Sequence, residues 1–174
     1  VPEYPNLQIA SVFIPAFEVG GDYYDFFKIS ETKLGFVIAD VSGKGISAAF
    51  IMAEVKGIFE SLSKTIEKPR EILIKANDIL KEALDSKSFV RAPYGYPDMM
   101  EKILIFSRAG HCPLFLLRDN DSKQIRPSGL GLGLSNKDYF EQTLEEYSVD
   151  LKENDTIVLY TDGVTEAKNE LLED

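Results

Sequence analysis

Two apolar stripes with the period of an α-helix lie back to back in the middle of this chain, and they constrain its architecture more than any other feature. Val55, Ile58, Phe59, Leu62 and Ile66 recur at intervals of three and four after Gly43-Lys44-Gly45, which predicts a helix of about five turns. Pro69 opens a second stripe of Ile72, Leu73, Ala76, Ile79, Leu80, Ala83 and Leu84. On either side the signals are those of strands. Residues 7–14 are rich in β-branched and aromatic types and stop at Pro15, and residues 34–39 form a continuous apolar run that ends at Asp40. Residues 103–106, 114–117 and 156–160 read as further strands. Strands, two consecutive helices, then strands is the order of an α+β fold with antiparallel sheets and helices packed on a face; a doubly wound parallel sheet would alternate regularly.

Several segments modify this outline. Residues 91–101 carry Pro93 and Pro97 where a strand is due, and each proline removes a ladder donor, so an edge, a bulge or local irregularity is expected there. Asp119-Asn120-Asp121 opens like a calcium loop, but Lys123 and Gln124 stand where the next ligand and glycine belong, which leaves a hairpin turn. The run Gly129-Leu130-Gly131-Leu132-Gly133-Leu134 lacks the strand-to-helix setting of a dinucleotide loop and reads as a plain loop. The end from Glu166 to Asp174 is polar and uncapped. With 174 residues, 44% of them hydrophobic, residues 1–174 are expected to form one domain.

Charge and composition narrow the chemistry. A formal net charge of −10 has the wrong sign for gripping a phosphate backbone, so nucleic-acid binding is disfavoured. One His and one Cys preclude a disulfide, a thiolate zinc site and a two-histidine metal site within the chain, so any metal must rest on oxygen, as Mg²⁺, Mn²⁺ and Ca²⁺ do. No apolar run approaches a membrane span and no signal peptide opens the chain, so a cytoplasmic setting without membrane contact is the expectation.

Three aspartates stand beside glycines at chain turns: Asp22 in Gly20-Gly21-Asp22, Asp40 before Val41-Ser42-Gly43, and Asp162 in Thr161-Asp162-Gly163. A short carboxylate at the end of a buried strand is rigidly aimed, so several can converge on a divalent cation. Each taken alone is more simply a turn former. Lys44, between two glycines at a helix entrance, is evenly balanced between a phosphate contact and a solvated turn lysine. Asp25 is read as orienting a metal water, with a turn role competing. His111 is assigned a structural hydrogen-bonding role over general-acid chemistry. Cys112, with no arginine-bearing anion cradle after it, is read as a small core residue.

The strings Val-Gly-Gly-Asp-Tyr-Tyr-Asp-Phe at 19–26, Ala-Asp-Val-Ser-Gly-Lys-Gly at 39–45, Ala-Gly-His-Cys-Pro at 109–113 and Tyr-Thr-Asp-Gly-Val-Thr-Glu-Ala at 160–167 occur in order over the chain. Together they resemble the SpoIIE/RsbU-type serine/threonine phosphatases, a bacterial branch of the PPM, or type 2C, metal-dependent phosphatases. The resemblance implies a β-sandwich of two antiparallel sheets flanked by helices, and two Mn²⁺ or Mg²⁺ ions. Asp22 would bridge both ions, Asp40 and the Val41 carbonyl would serve one side and Asp162 the other, with hydroxide between them as nucleophile. Asp22, Asp40 and Asp162 are thus the candidate catalytic residues, with Asp25, Lys44 and Gly163 standing behind them or meeting substrate. The family carries a further metal aspartate in a closing strand, and no such motif precedes Asp174, so the domain is expected to be C-terminally incomplete and to lack that strand.

The same resemblance implies hydrolysis of phosphoserine or phosphothreonine on a bacterial regulatory protein, an anti-sigma-factor antagonist of STAS type. It also implies an upstream sensor or dimerising segment and a possible homodimer. The competing reading is a phosphatase-fold interaction module that has lost turnover. An aspartyl-phosphate receiver, suggested by Asp40 and Lys44, would require parallel alternation, which the consecutive helices oppose.

Overall fold

The computed structural model describes residues 2–15 and 20–166. Its strands are β1 (Asp22–Lys28), β2 (Leu34–Val41), β3 (Val90–Asp98), β4 (Ile103–Ala109), β5 (Leu114–Arg118), β6 (Asp121–Ile125), β7 (Glu146–Asp150) and β8 (Thr156–Val158), with helices α1 (Ile46–Leu62), α2 (Pro69–Ala83) and α3 (Lys137–Thr143). A five-stranded sheet runs β1-β2-β3-β4-β7 and a three-stranded sheet runs β6-β5-β8. Every described pairing is antiparallel. The expected α+β sandwich is therefore observed.

Two cores follow from the alternation of side chains along the strands. On one face of the five-stranded sheet, Val37, Ala39 and Val41 of β2 meet Val55 and Phe59 of α1 and Ile72, Leu73, Ala76 and Leu80 of α2. Phe140 and Leu144, from and just after α3, join the same layer. On the other face Phe36, Leu104 and Phe106 pack against Leu114, Leu116 and Ile125 of the second sheet. Helix α2 begins with Pro69, whose fixed φ suits the first turn, and places Glu71 near its start and Lys81 near its end, as the helix dipole favours. Its buried face is rotated slightly from the expected stripe: Ile79 is exposed, while Ile74 and Asn77 are buried. The Asn77 amide is satisfied by the Gly133 N–H at 3.0 Å and the Ser135 carbonyl at 3.3 Å.

Residues 7–14 do not form a strand. Apart from an isolated bridge between Tyr4 and Leu7, the segment makes no ladder, and Val12 and Ile14 are exposed. Among the described residues it meets β1 through side chains, with the Ser11 hydroxyl 3.0 Å from that of Tyr24 and the Phe13 ring 6.0 Å from the Tyr24 ring. β-propensity without a paired neighbour does not make a strand.

The proline-bearing segment departs from expectation in the other direction. β3 is a regular strand inside the sheet, paired without interruption to β4 from Ala92 to Asp98. Pairing to β2 is recorded at Val90, Arg91, Tyr94 and Gly95, and not at Pro93 or Pro97. The two prolines are four residues apart, so both turn their missing donors toward the same neighbour, and the ladder on the other side stays whole. The predicted Asp119-Asn120 turn joins β5 to β6, with Asp119 in the left-handed region at φ 53°. The last predicted strand ends earlier than expected, at Val158. The expectation of a missing closing strand concerns chain outside the described residues.

Candidate metal centre

Asp22 of β1 pairs directly with Asp40 of β2, and Asp40 pairs in turn with Arg91 of β3. These three residues form one cross-strand row, on the face of the sheet shared with Phe36 and turned toward the second sheet. Asp162 reaches the same place from the other side. Tyr160 stacks on Phe115 of β5, with ring centroids 5.9 Å apart, and a 3-10 turn over Asp162–Val164 follows. The Thr161 hydroxyl donates to Asp22 Oδ2 at 3.0 Å, tying the turn to the row. The three aspartates singled out in the sequence are thus brought to one end of the sandwich.

Electrostatics mark the cluster as costly. Burial raises the pKa of both Asp22 and Asp40 above the ordinary carboxylate range, and the charge of Asp162 adds to the effect on each. Arg91 offsets part of this. Its Nη2 donates to Asp40 Oδ2 and, at 2.5 Å, to Asp162 Oδ2. Burial pulls the guanidinium pKa down, but these two carboxylates more than compensate and hold it above its usual value. Arg91 escaped sequence reasoning because only the strand register shows that it stands beside Asp40. The available signal was a lone arginine opening an otherwise apolar strand.

The donor set suits a hard divalent cation: three carboxylates, and a Val41 carbonyl that lies 2.9 Å from where a Cβ on Gly21 would sit, so only glycine leaves that oxygen unobstructed. Two of the three carboxylates, those of Asp40 and Asp162, accept from Arg91, and Asp22 accepts from Thr161. Among the described residues, no three His, Cys, Asp or Glu side chains are gathered closely enough to enclose an ion.

The remaining candidates are distributed around this row. Lys44 is exposed between Gly43 and Gly45, both in the left-handed region at φ 97° and 73°, at the entrance to α1. Gly163 is exposed beside Asp162. Asp25 is not brought to the cluster: it lies on the opposite face of β1, where its carboxylate accepts from the Tyr23 hydroxyl at 2.7 Å and the Phe26 N–H at 2.8 Å. His111 is buried, its Nε2 has no hydrogen-bond partner among the described residues, and burial pushes its pKa down to about 4. The His111 carbonyl accepts from Arg108 Nη1 at 2.5 Å. Gly110, at φ 67°, is packed so closely on Gly131 that a Cβ would lie 2.8 Å from its nitrogen. Ala-Gly-His-Cys-Pro is therefore a tight junction between β4 and β5. Cys112 is half-buried there and belongs to neither core.

Two antiparallel sheets with helices packed on them match the fold of solved type 2C phosphatase domains. The structure of the PP2C phosphatase domain of SpoIIE from Bacillus subtilis, with a fragment of its regulatory domain, superposes with a TM-score of 0.74 over 85% of this chain and 43% of that one, at 24% identity. The RsbU and RsbW domains of Rv1364c from Mycobacterium tuberculosis match with a TM-score of 0.76 over 91% of this chain and 43% of that one, at 25% identity. The chain belongs to the Stage II sporulation protein E (SpoIIE) family, whose pattern covers residues 30–173. It is 35% identical to phosphoserine phosphatase RsbU of Bacillus subtilis over 98% of this chain. It spans half the length of that protein and 30% of Protein IcfG from Synechocystis. No helix among the described residues is long and apolar enough to cross a membrane.

Proposed function

We propose that this chain is the phosphatase domain of a bacterial signalling protein, removing phosphate from serine or threonine of a partner protein. The observation that carries this reading is that Asp22 and Asp40 stand in register across β1 and β2, with the turn bearing Asp162 tied to them through Thr161 and Arg91. These carboxylates and the Val41 carbonyl would hold Mn²⁺ or Mg²⁺, two ions by resemblance to the family. When bound, such ions acidify water and neutralise charge on a phosphoryl group. The chain's own residues would do the rest. Thr161 fixes the rotamer of Asp22 through its hydroxyl. Lys44 would present its ammonium to the phosphate at the mouth of α1, where the first backbone N–H groups of the helix are also free. Gly163, lacking a side chain, keeps the approach to Asp162 open.

By family resemblance the substrate is a phosphorylated anti-sigma-factor antagonist of STAS type in the cytoplasm, and a sensor or dimerising segment governs the domain. The test is hydrolysis of a phosphoserine protein and of a small aryl phosphate during Mn²⁺ titration, in the parent protein and its Asp22→Asn and Asp40→Asn variants. Each variant should stay folded and lose on the order of 100-fold or more in rate. Full activity in either folded variant overturns the site. Manganese binding without turnover on any phosphoprotein favours the interaction-module reading.

A further inference from the structure

Two arginines in this molecule grip carboxylates in different ways. Arg118 holds Asp155 with a closed fork, Nε to Oδ1 at 2.8 Å and Nη2 to Oδ2 at 2.6 Å. Such bidentate pairing is the strong form of the contact. Arg91 instead uses one nitrogen, Nη2, for two carboxylates on different segments, and its Nε is buried with no partner among the described residues. Its guanidinium is placed by charge more than by fit, and it takes up the carboxylate oxygens of Asp40 and Asp162 that face it.

The charge arithmetic of the row has a direct consequence. Asp22, Asp40 and Asp162 carry three negative charges and Arg91 returns one positive charge. A divalent cation entering between Asp40 and Asp162 would meet a like charge already hydrogen-bonded to both, and repulsion at such a distance in a half-buried site is substantial. Occupancy then requires the guanidinium to withdraw and to give up both of its Nη2 contacts, a cost that metal binding must meet.

We propose that Arg91 is a resident counter-cation that competes with the divalent metal for Asp40 and Asp162, and thereby sets how tightly this chain holds metal. The proposal rests on the reading of these aspartates as metal ligands. It assigns Arg91 a positioning role: in the metal-free protein it keeps the carboxylates together, and on metal entry it gives them up.

The experiment is Mn²⁺ binding by titration calorimetry and by electron paramagnetic resonance, at fixed pH and salt, on the parent protein and on Arg91→Ala, Arg91→Gln, Arg91→Lys and Asp40→Asn variants. Melting temperatures are recorded with and without Mn²⁺. The neutral variants should bind Mn²⁺ on the order of 10-fold more tightly. Arg91→Lys, which keeps the charge, should stay near the parent. Metal-free Arg91→Gln should melt lower than the parent and gain more on adding Mn²⁺. Unchanged or weaker binding in whichever neutral variants fold overturns the competition. If Asp40→Asn loses Mn²⁺ while the neutral variants gain nothing, only the role of Arg91 falls. If Asp40→Asn binds as the parent does, or no form binds, the ligand reading falls and takes the competition with it.

Discussion

Tyr94 is fully buried between the rings of Phe27 and Phe59, stacked with centroids 6.0 and 5.9 Å away, yet its hydroxyl has no hydrogen-bond partner among the described residues and lies 2.9 Å from where a Cβ on Gly35 would be. A buried hydroxyl without a partner is a net cost. Tyr94→Phe should therefore stabilise the protein by about 1 kcal/mol in chemical denaturation, and should lessen the damage done by Gly35→Ala in the double variant. The opposite case is Asp155, whose carboxyl Arg118 holds below the usual range with help from the Lys152 N–H at 2.7 Å. A depressed folded-state pKa adds stability that is present above the unfolded value of about 4 and is lost as pH falls through the folded one. Asp155→Asn should lower the melting temperature at pH 7 by roughly 4 °C. The gap to the parent should narrow as the medium is made more acidic than about pH 4. Residues differ in the same way in how plainly the sequence displays them. Asp22 and Asp162 announce themselves by a neighbouring glycine, and Asp40 and Asp162 by a preceding apolar run. Arg91 and Thr161 do not, because their importance arises from which residue lies across the sheet or beside the turn.

Helices α1 and α2 were legible from their apolar period, since an amphipathic stripe is dictated by packing on a single face. Residues 7–14 carry strand-forming side chains and form no strand, and β3 carries two prolines and stays regular. Both outcomes depend on the neighbour, present or absent, which a one-dimensional pattern does not contain. Within α1, Gly57 sits exposed in mid-helix with nothing within 4 Å of a would-be Cβ. Gly57→Ala should raise stability by about 0.5–1 kcal/mol, seen as a higher midpoint in denaturant. Gly95 of β3 is its converse, since a Cβ there would come within 2.4 Å of the Phe106 Cβ on the paired strand. Gly95→Ala should cost about 3 kcal/mol or more, or prevent folding, measured by the same denaturation.

At the scale of the molecule, the order of elements was enough to assign an α+β fold with antiparallel sheets, because consecutive helices between strand runs leave few ways to cover a sheet, and the family resemblance supplied the sandwich. What the order could not convey is that the two aspartates and the arginine fall on one rung of the sheet. Side chains alternate faces with a strict period of two, so that rung also limits how the gene can vary in length. One residue inserted into β1 between Asp22 and the hairpin would carry Asp22 to the helix side, and two would leave it facing Asp40's side but one rung away. Length changes compatible with the site are thus confined to the connection between Lys28 and Leu34, outside the seven paired positions of β1 and β2. The site in this way fixes the number of residues along each strand from its aspartate to the turn, and leaves the turn itself free to lengthen or shorten.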